Sequence, residues 1–133
     1  MSKIAIQKVV EKMDLKNLTP DVGLADKYVE VPDINRPALQ LTGFFDHFDA
    51  ERVQIIGYVE YTFLEQMDPE TKHKVYDTLL DYKIPCIIFC RDLKPDDELL
   101  EKAARMDVPI FSTQMKTSVF TAELIRWLNV QLA

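Results

Sequence analysis

Apolar positions along this chain change period repeatedly, and each change marks an element. Three short, nearly continuous apolar runs stand in the last two thirds: VQIIG at 53–57, PCIIFC at 85–90 and VPIFST at 108–113. Each reads as a strand covered on both faces, because a one-sided strand would alternate apolar with polar. The segments between them carry apolar residues every three or four positions, which is the helical period. Residues 60–67 place Phe63, Leu64 and Met67 on one side. A longer helix is expected from Asp68-Pro69-Glu70 to about Lys83, with Val75, Tyr76, Leu79 and Leu80 inward. It opens with a capping aspartate, proline at the first helical position and an acid in the first turn. Pro85 stops it. Another helix starts near Pro95 and turns Leu99, Leu100 and Ala103 inward. Its acids Asp96, Asp97 and Glu98 come first and its bases Lys102 and Arg105 last, as the helix dipole favours. Thr117 or Ser118 is the expected cap of a final helix buried along Phe120, Leu124, Trp127 and Leu128.

The first third alternates less clearly. Residues 3–6 suit a short strand and 7–14 a short helix with Val9, Val10 and Met13 inward. Residues 15–20 read as extended or turning, 21–27 as a polar loop, and 28–31 as a β-rich segment closed by Pro32. Arg36 precedes a proline and is held extended. Pro37 then opens a short helical piece that ends at Gly43 or the aromatics after it. From residue 53 onward strand and helix strictly alternate. That order predicts an α/β fold, a mostly parallel sheet flanked by helices, as a single domain over 1–133.

Composition narrows the function classes. The 133 residues carry a net charge of −6 with 47% hydrophobic and 29% charged residues. No basic cluster offsets that charge, so neither nucleic acid nor an anionic membrane surface is an expected partner. No apolar run reaches the length of a membrane span. Cys86 and Cys90 fall in one strand roughly 13 Å apart, beyond disulfide reach, and read as small reduced core residues of a cytoplasmic protein.

The chemistry on offer is sparse. Gly23, Gly43 and Gly57 are the chain's three glycines and are far apart. A phosphate-cradling loop needs several close together and a lysine after them, so no P-loop or dinucleotide fingerprint exists here. His47 and His73, with two core cysteines, do not give a zinc-site spacing. His73 reads as a solvated side chain, and His47 lies in the aromatic turn Phe44-Phe45-Asp46-His47-Phe48-Asp49. In parallel sheets ligands meet the carboxyl ends of strands, which here supply Gly57 to Glu60, Arg91-Asp92 and Ser112 to Gln114. Arg36 and Arg52 stand among apolar residues, so each guanidinium should face a fixed partner. The partner is either a structural carboxylate, Asp33, Asp46 or Asp49, or an anionic ligand. Arg36, Arg52, Glu60, Arg91 and Thr113 are therefore the candidate ligand or partner residues; no catalytic and no metal-binding residue is assigned.

One stretch is more specific than the rest. DINRPALQLTGFFDHFDAERVQIIGYVEYTFLEQM resembles the N-terminal domain of the bacterial HPr kinase/phosphorylase family. Asp33, Arg36, Pro37, Leu39, Gly43, Phe44, Arg52, Gln54, Gly57 and Glu60 follow that pattern in order. The later segments PCIIFCRDLKPDDELLEKA, VPIFST and TSVF resemble it too. Ala38 stands where a glycine is frequent, and Thr42 where a small residue is. The resemblance implies a sheet-and-helix fold similar to the nucleotide-sugar-binding domain of Mur ligases. It implies a two-domain enzyme of carbon catabolite repression that phosphorylates a seryl residue of the phosphocarrier HPr and removes the group by phosphorolysis. ATP or pyrophosphate with Mg²⁺ would act in a separate P-loop domain, so this chain holds no cofactor. Its implied partners are that catalytic domain, HPr through the whole enzyme, and copies of itself. The implied role is a non-catalytic regulatory or assembly domain; a sensor of a small anionic metabolite is the alternative.

Overall fold

A computed structural model describes residues 2–133. The chain runs β1 (Ile4–Ala5), α1 (Ile6–Met13), β2 (Lys16–Asn17), β3 (Tyr28–Val29), β4 (Ile34–Asn35) and α2 (Ala38–Leu41). It continues through β5 (Val53–Ile56), α3 (Tyr58–Gln66), α4 (Pro69–Asp81), β6 (Ile87–Phe89), α5 (Asp97–Arg105), β7 (Ile110–Ser112) and α6 (Thr117–Gln131). Five strands form the main sheet in the order β2-β7-β6-β5-β4. The four strands from β4 to β7 are parallel, and β2 adds an antiparallel edge against β7. β1 and β3 make a separate antiparallel pair. The chain is thus α/β with a mostly parallel sheet, as the alternation of periods predicts.

The three central strands are buried on both faces, and their side chains divide by parity. Val53, Ile55, Cys86, Ile88, Cys90 and Phe111 meet α1 and α6 on one face. Ile56, Ile87, Phe89 and Ile110 meet Leu41, Leu64 and the stripes of α4 and α5 on the other. Both cysteines are free and buried, and burial pushes Cys86 up to about 12 and Cys90 up to about 11. A raised thiol is an inert one, in keeping with small core residues. α4 is capped as its sequence predicts, Asp68 accepting from the Thr71 N–H at 3.2 Å, and α5 is capped by Asp96, which accepts from the Leu99 N–H at 2.9 Å. Asp96 also accepts from the Tyr76 hydroxyl at 2.8 Å, which joins the two helices. Lys102 is buried and pairs with Asp77 at 2.6 Å, which holds that carboxyl below its usual range.

Several local expectations change. β2 is a two-residue strand within a stretch read as extended or turning, and β4 is another where no element was expected; both are too short to show a period and exist because a neighbour's edge pairs them. α3 begins at Tyr58 rather than Glu60, and Phe63 is exposed instead of inward. Pro37 is the residue before α2, not its first. Lys116 precedes α6, and neither Thr117 nor Ser118 caps it: Thr117 is its first helical residue. Gly43 ends the α2 turn at φ 96°, a left-handed conformation that disfavours any side chain. The aromatic turn after it is a packing device: Phe45 stacks on Tyr82 at 5.5 Å, and Phe48 meets the same ring edge-on at 5.0 Å. His47 at its tip is exposed, with φ 60°.

Candidate functional site

The carboxyl ends of β4, β5 and β6 build one compact polar corner. β4 delivers Arg36, fixed by Pro37 behind it. β5 ends at Ile56, and Gly57 after it passes directly into α3. Glu60 in the first turn of α3 folds back, so that its carboxylate accepts from the Gly57 N–H at 2.7 Å. The same oxygen, Oε1, accepts from Arg36 Nη2 at 2.8 Å. Glu60 is only 3% exposed, whereas the Arg36 side chain is 40% exposed. A buried carboxylate at a helix N-terminus is favoured by the dipole, but it still needs the cation. Arg36 therefore finds a structural partner, though Glu60 rather than the three aspartates weighed from the sequence.

Gly57 is what lets these groups meet. Its φ of −111° is ordinary, so freedom of the backbone is not the reason for glycine. Space is. A Cβ there would lie 2.6 Å from Arg36 Nη2 and 2.7 Å from Thr117 Oγ1. α6 thus starts against the same point that Arg36 and α3 share. Cys90 lies just beneath. The Thr117 hydroxyl, Arg36 and Arg91 around it soften the rise that burial gives its thiol, yet no hydrogen bond of acceptable geometry links Thr117 to it.

Arg91 follows β6 and sits over the Tyr58 ring at 4.7 Å. Arg91 and Asp92 are both left-handed, at φ 59° and 55°. Two such residues in succession cost on the order of 1–3 kcal/mol each. The strain turns their N–H groups toward the loop before α6, where Arg91 donates to the Met115 carbonyl at 2.9 Å and Asp92 to the Thr113 carbonyl at 2.8 Å. Adjacent loops here depart to opposite faces, β6 to α5 and β7 to α6. That is where a parallel sheet opens a crevice, and the two hydrogen bonds stitch it partly shut.

Of the five sequence candidates, Arg36, Glu60 and Arg91 come together. Thr113 is buried one loop away, where its hydroxyl accepts from the Met115 N–H at 3.2 Å. It lines a 400 Å³ cavity with Lys16, Asp92 and Ser112. Arg52 stands at the opposite, amino end of β5, 3.5 Å from Asp49 and 4.0 Å from Asp33. It does not share a cavity with Arg36, and neither lines the cavities of 700, 160 and 400 Å³. The largest of these lies at the amino ends of the strands, between Lys27, Tyr28, Glu51, Lys83 and Asp107, with charges of both signs. The sequence placed Tyr58 among the strand-end residues and Thr117 at the start of the last helix, but named neither as a site residue. That Thr117 closes on Gly57 had one signal, the glycine at a strand end, which announces a close approach without naming what approaches. Among the described residues no group of three or more His, Cys, Asp or Glu could hold a metal ion, and no helix is long and apolar enough to cross a membrane.

Comparison with known proteins places the chain in one family. The model of the HPr serine kinase N terminus matches residues 4–128. The HPr kinase/phosphorylase of Lachnoclostridium phytofermentans is 47% identical over 133 residues, all of this chain and 43% of the relative. That of Caldicellulosiruptor bescii is 36% identical over 128 residues, 96% of this chain and 41% of the relative. That of Clostridium tetani is 35% identical over 130 residues, 98% of this chain and 42% of the relative. The chain thus spans about two fifths of the length of these relatives. With a family model covering nearly its entire length, the chain belongs to the HPr serine kinase N-terminal family.

Proposed function

We propose that this chain is a regulatory or assembly domain of an HPr kinase/phosphorylase and performs no catalysis by itself. Its relatives carry that name and are more than twice as long. On this reading the remaining part of the protein binds ATP or pyrophosphate and Mg²⁺, and transfers phosphate to and from a seryl group of HPr in the cytoplasm. The residues here do not suit that chemistry, because the glycines are too far apart to cradle phosphates and, among the described residues, the acids do not gather into a metal site. Their catalytic role is accordingly nil on this proposal, and the partner is the catalytic domain of the same protein.

The observation that carries the assembly reading is the outer side of α2 and α3. These helices pack on each other, yet Leu39 is 61% and Val59 69% exposed, and Phe44, Tyr58 and Phe63 are exposed too. Exposed apolar side chains on two helices packed together are what a surface covered by another body would present. Val59→Glu should change the stability of the chain by no more than about 0.5 kcal/mol, since that side chain is mostly exposed. In the longer protein the same change should loosen the domain against its neighbours, read as a shift in sedimentation or in protease sensitivity at the junction. An unchanged assembly in the Val59→Glu and Leu39→Glu proteins would overturn the assembly reading.

A further inference from the structure

The carboxyl end of β7 opens onto the 400 Å³ cavity, which the assembly reading does not use. It lies beside the gap where the loops after β6 and β7 part to opposite faces, the place where parallel sheets take ligands. Its volume is within the range of small-molecule sites. Ser112 lines it and is 4% exposed. The Ser112 hydroxyl has no hydrogen-bond partner among the described residues, so the partner that a buried hydroxyl needs must come from the cavity. Thr113 next to it is 7% exposed and accepts from the Met115 N–H at 3.2 Å, which leaves its own proton to donate. Three charges surround these hydroxyls, and the strand pairing fixes their sides. Lys16 stands opposite Ser112 in the antiparallel pair of β2 and β7. Asp14, the C-cap of α1, lies past the end of that ladder. Asp92 stands on the β6 side, where its N–H donates to the Thr113 carbonyl at 2.8 Å. None of the three joins an ion pair among the described residues. Met13 and Met115 complete the wall with apolar, adaptable side chains.

We infer that this cavity binds a small zwitterion, an α-amino acid with an apolar side chain. Its ammonium group meets Asp92, with Asp14 adding to the negative field. Its carboxylate meets Lys16 and the Ser112 hydroxyl, and its side chain lies along Met13 and Met115. A rim of two acids and one base does not suit a simple anion, and among the described residues no three His, Cys, Asp or Glu gather for a metal ion. An acid and a base on either side of one cavity suit a ligand that carries both charges, and charged groups make the stronger hydrogen bonds. The span fits as well. The β6 and β2 sides of β7 are two strand spacings apart, roughly 10 Å. An aspartate reaching in from one side and a lysine from the other leave room for one α-amino acid between them. The site goes beyond the assembly reading, which concerns the outer side of α2 and α3 and stands or falls separately.

The proposal is tested by titrating the ¹⁵N-labelled chain with L-leucine, L-methionine and L-phenylalanine at constant ionic strength. The amides of Lys16, Asp92 and Ser112 should shift and saturate with at least one of the three. Two half-ligands of leucine, 3-methylbutylamine and 4-methylpentanoate, should each bind about tenfold more weakly than the amino acid that contains both charges. Asp92→Asn keeps the left-handed backbone at φ 55°, which asparagine tolerates. It should weaken leucine about tenfold and leave 4-methylpentanoate unchanged. Lys16→Gln should weaken leucine by a similar factor and leave 3-methylbutylamine unchanged. Both positions are exposed, so both variants should melt within about 2 °C of the wild type. Shifts that fail to saturate with all three amino acids would overturn the proposal. So would 3-methylbutylamine binding as tightly as leucine, which would remove Lys16 from the site, or wild-type affinity for leucine in either variant.

Discussion

Arg36→Ala should cost the chain about 3 kcal/mol. Removing one member of a buried ion pair costs about 3–5 kcal/mol, because the other charge stays behind in a place that water does not reach. Glu60 is that charge. It is 3% exposed and would be left with a single donor, the Gly57 N–H at 2.7 Å. The lower end of the range applies because the Arg36 side chain is 40% exposed, so solvent already screens part of the attraction. The loss should show as a lower urea midpoint with an unchanged m-value. Glu60→Gln in the same chain should restore more than half of it. A neutral amide can still accept from the Gly57 N–H and no longer needs a cation. A loss below about 1 kcal/mol in Arg36→Ala, or no recovery in the double variant, would show that the corner is not held by charge.

Phe120→Ala should cost about 3–5 kcal/mol, the range for an aromatic deleted from a core. Its ring is fully buried in the cluster that joins α6 to the sheet, with Leu124 and Leu128 a turn and two turns further along. α6 and α1 are what cover that face, so a cavity under the first turns of α6 has few neighbours that could collapse into it. The melting temperature should fall by roughly 10–20 °C. Val130→Ala, 67% exposed on the outer side of α6, is the control and should stay within about 0.5 kcal/mol. Equal effects from the two would contradict the assignment of α6 as the helix that closes this face.

The elements that carry a clear period were legible from residues alone. Val53–Ile56, Ile87–Phe89 and Ile110–Ser112 are strands buried on both faces, and α4 and α5 start at the aspartates that announce them. The two-residue strands β2 and β4 were not legible, because pairing with a neighbour creates them and no local pattern does. Gln54 shows the same limit. It looks like a polar interruption in VQIIG, yet it is fully buried and ties β4 to β5 through Asn35 at 2.8 Å. At the site, Arg36, Glu60 and Arg91 could be named in advance from strand ends and from charges set among apolar residues. That Arg52 parts from them follows from its place just before β5, against Arg36 just after β4. The approach of Thr117 to Gly57 joins residues sixty positions apart in the chain, and only the sheet order brings α6 there.

Whether phosphoryl-transfer chemistry lies outside these 133 residues can be measured directly. The chain is incubated with HPr, Mg²⁺ and either ATP or pyrophosphate, and phosphoserine on HPr is measured by mass. No phosphoserine should form above the blank without the chain. Phosphoserine that accumulates in proportion to the concentration of the chain would contradict a non-catalytic domain.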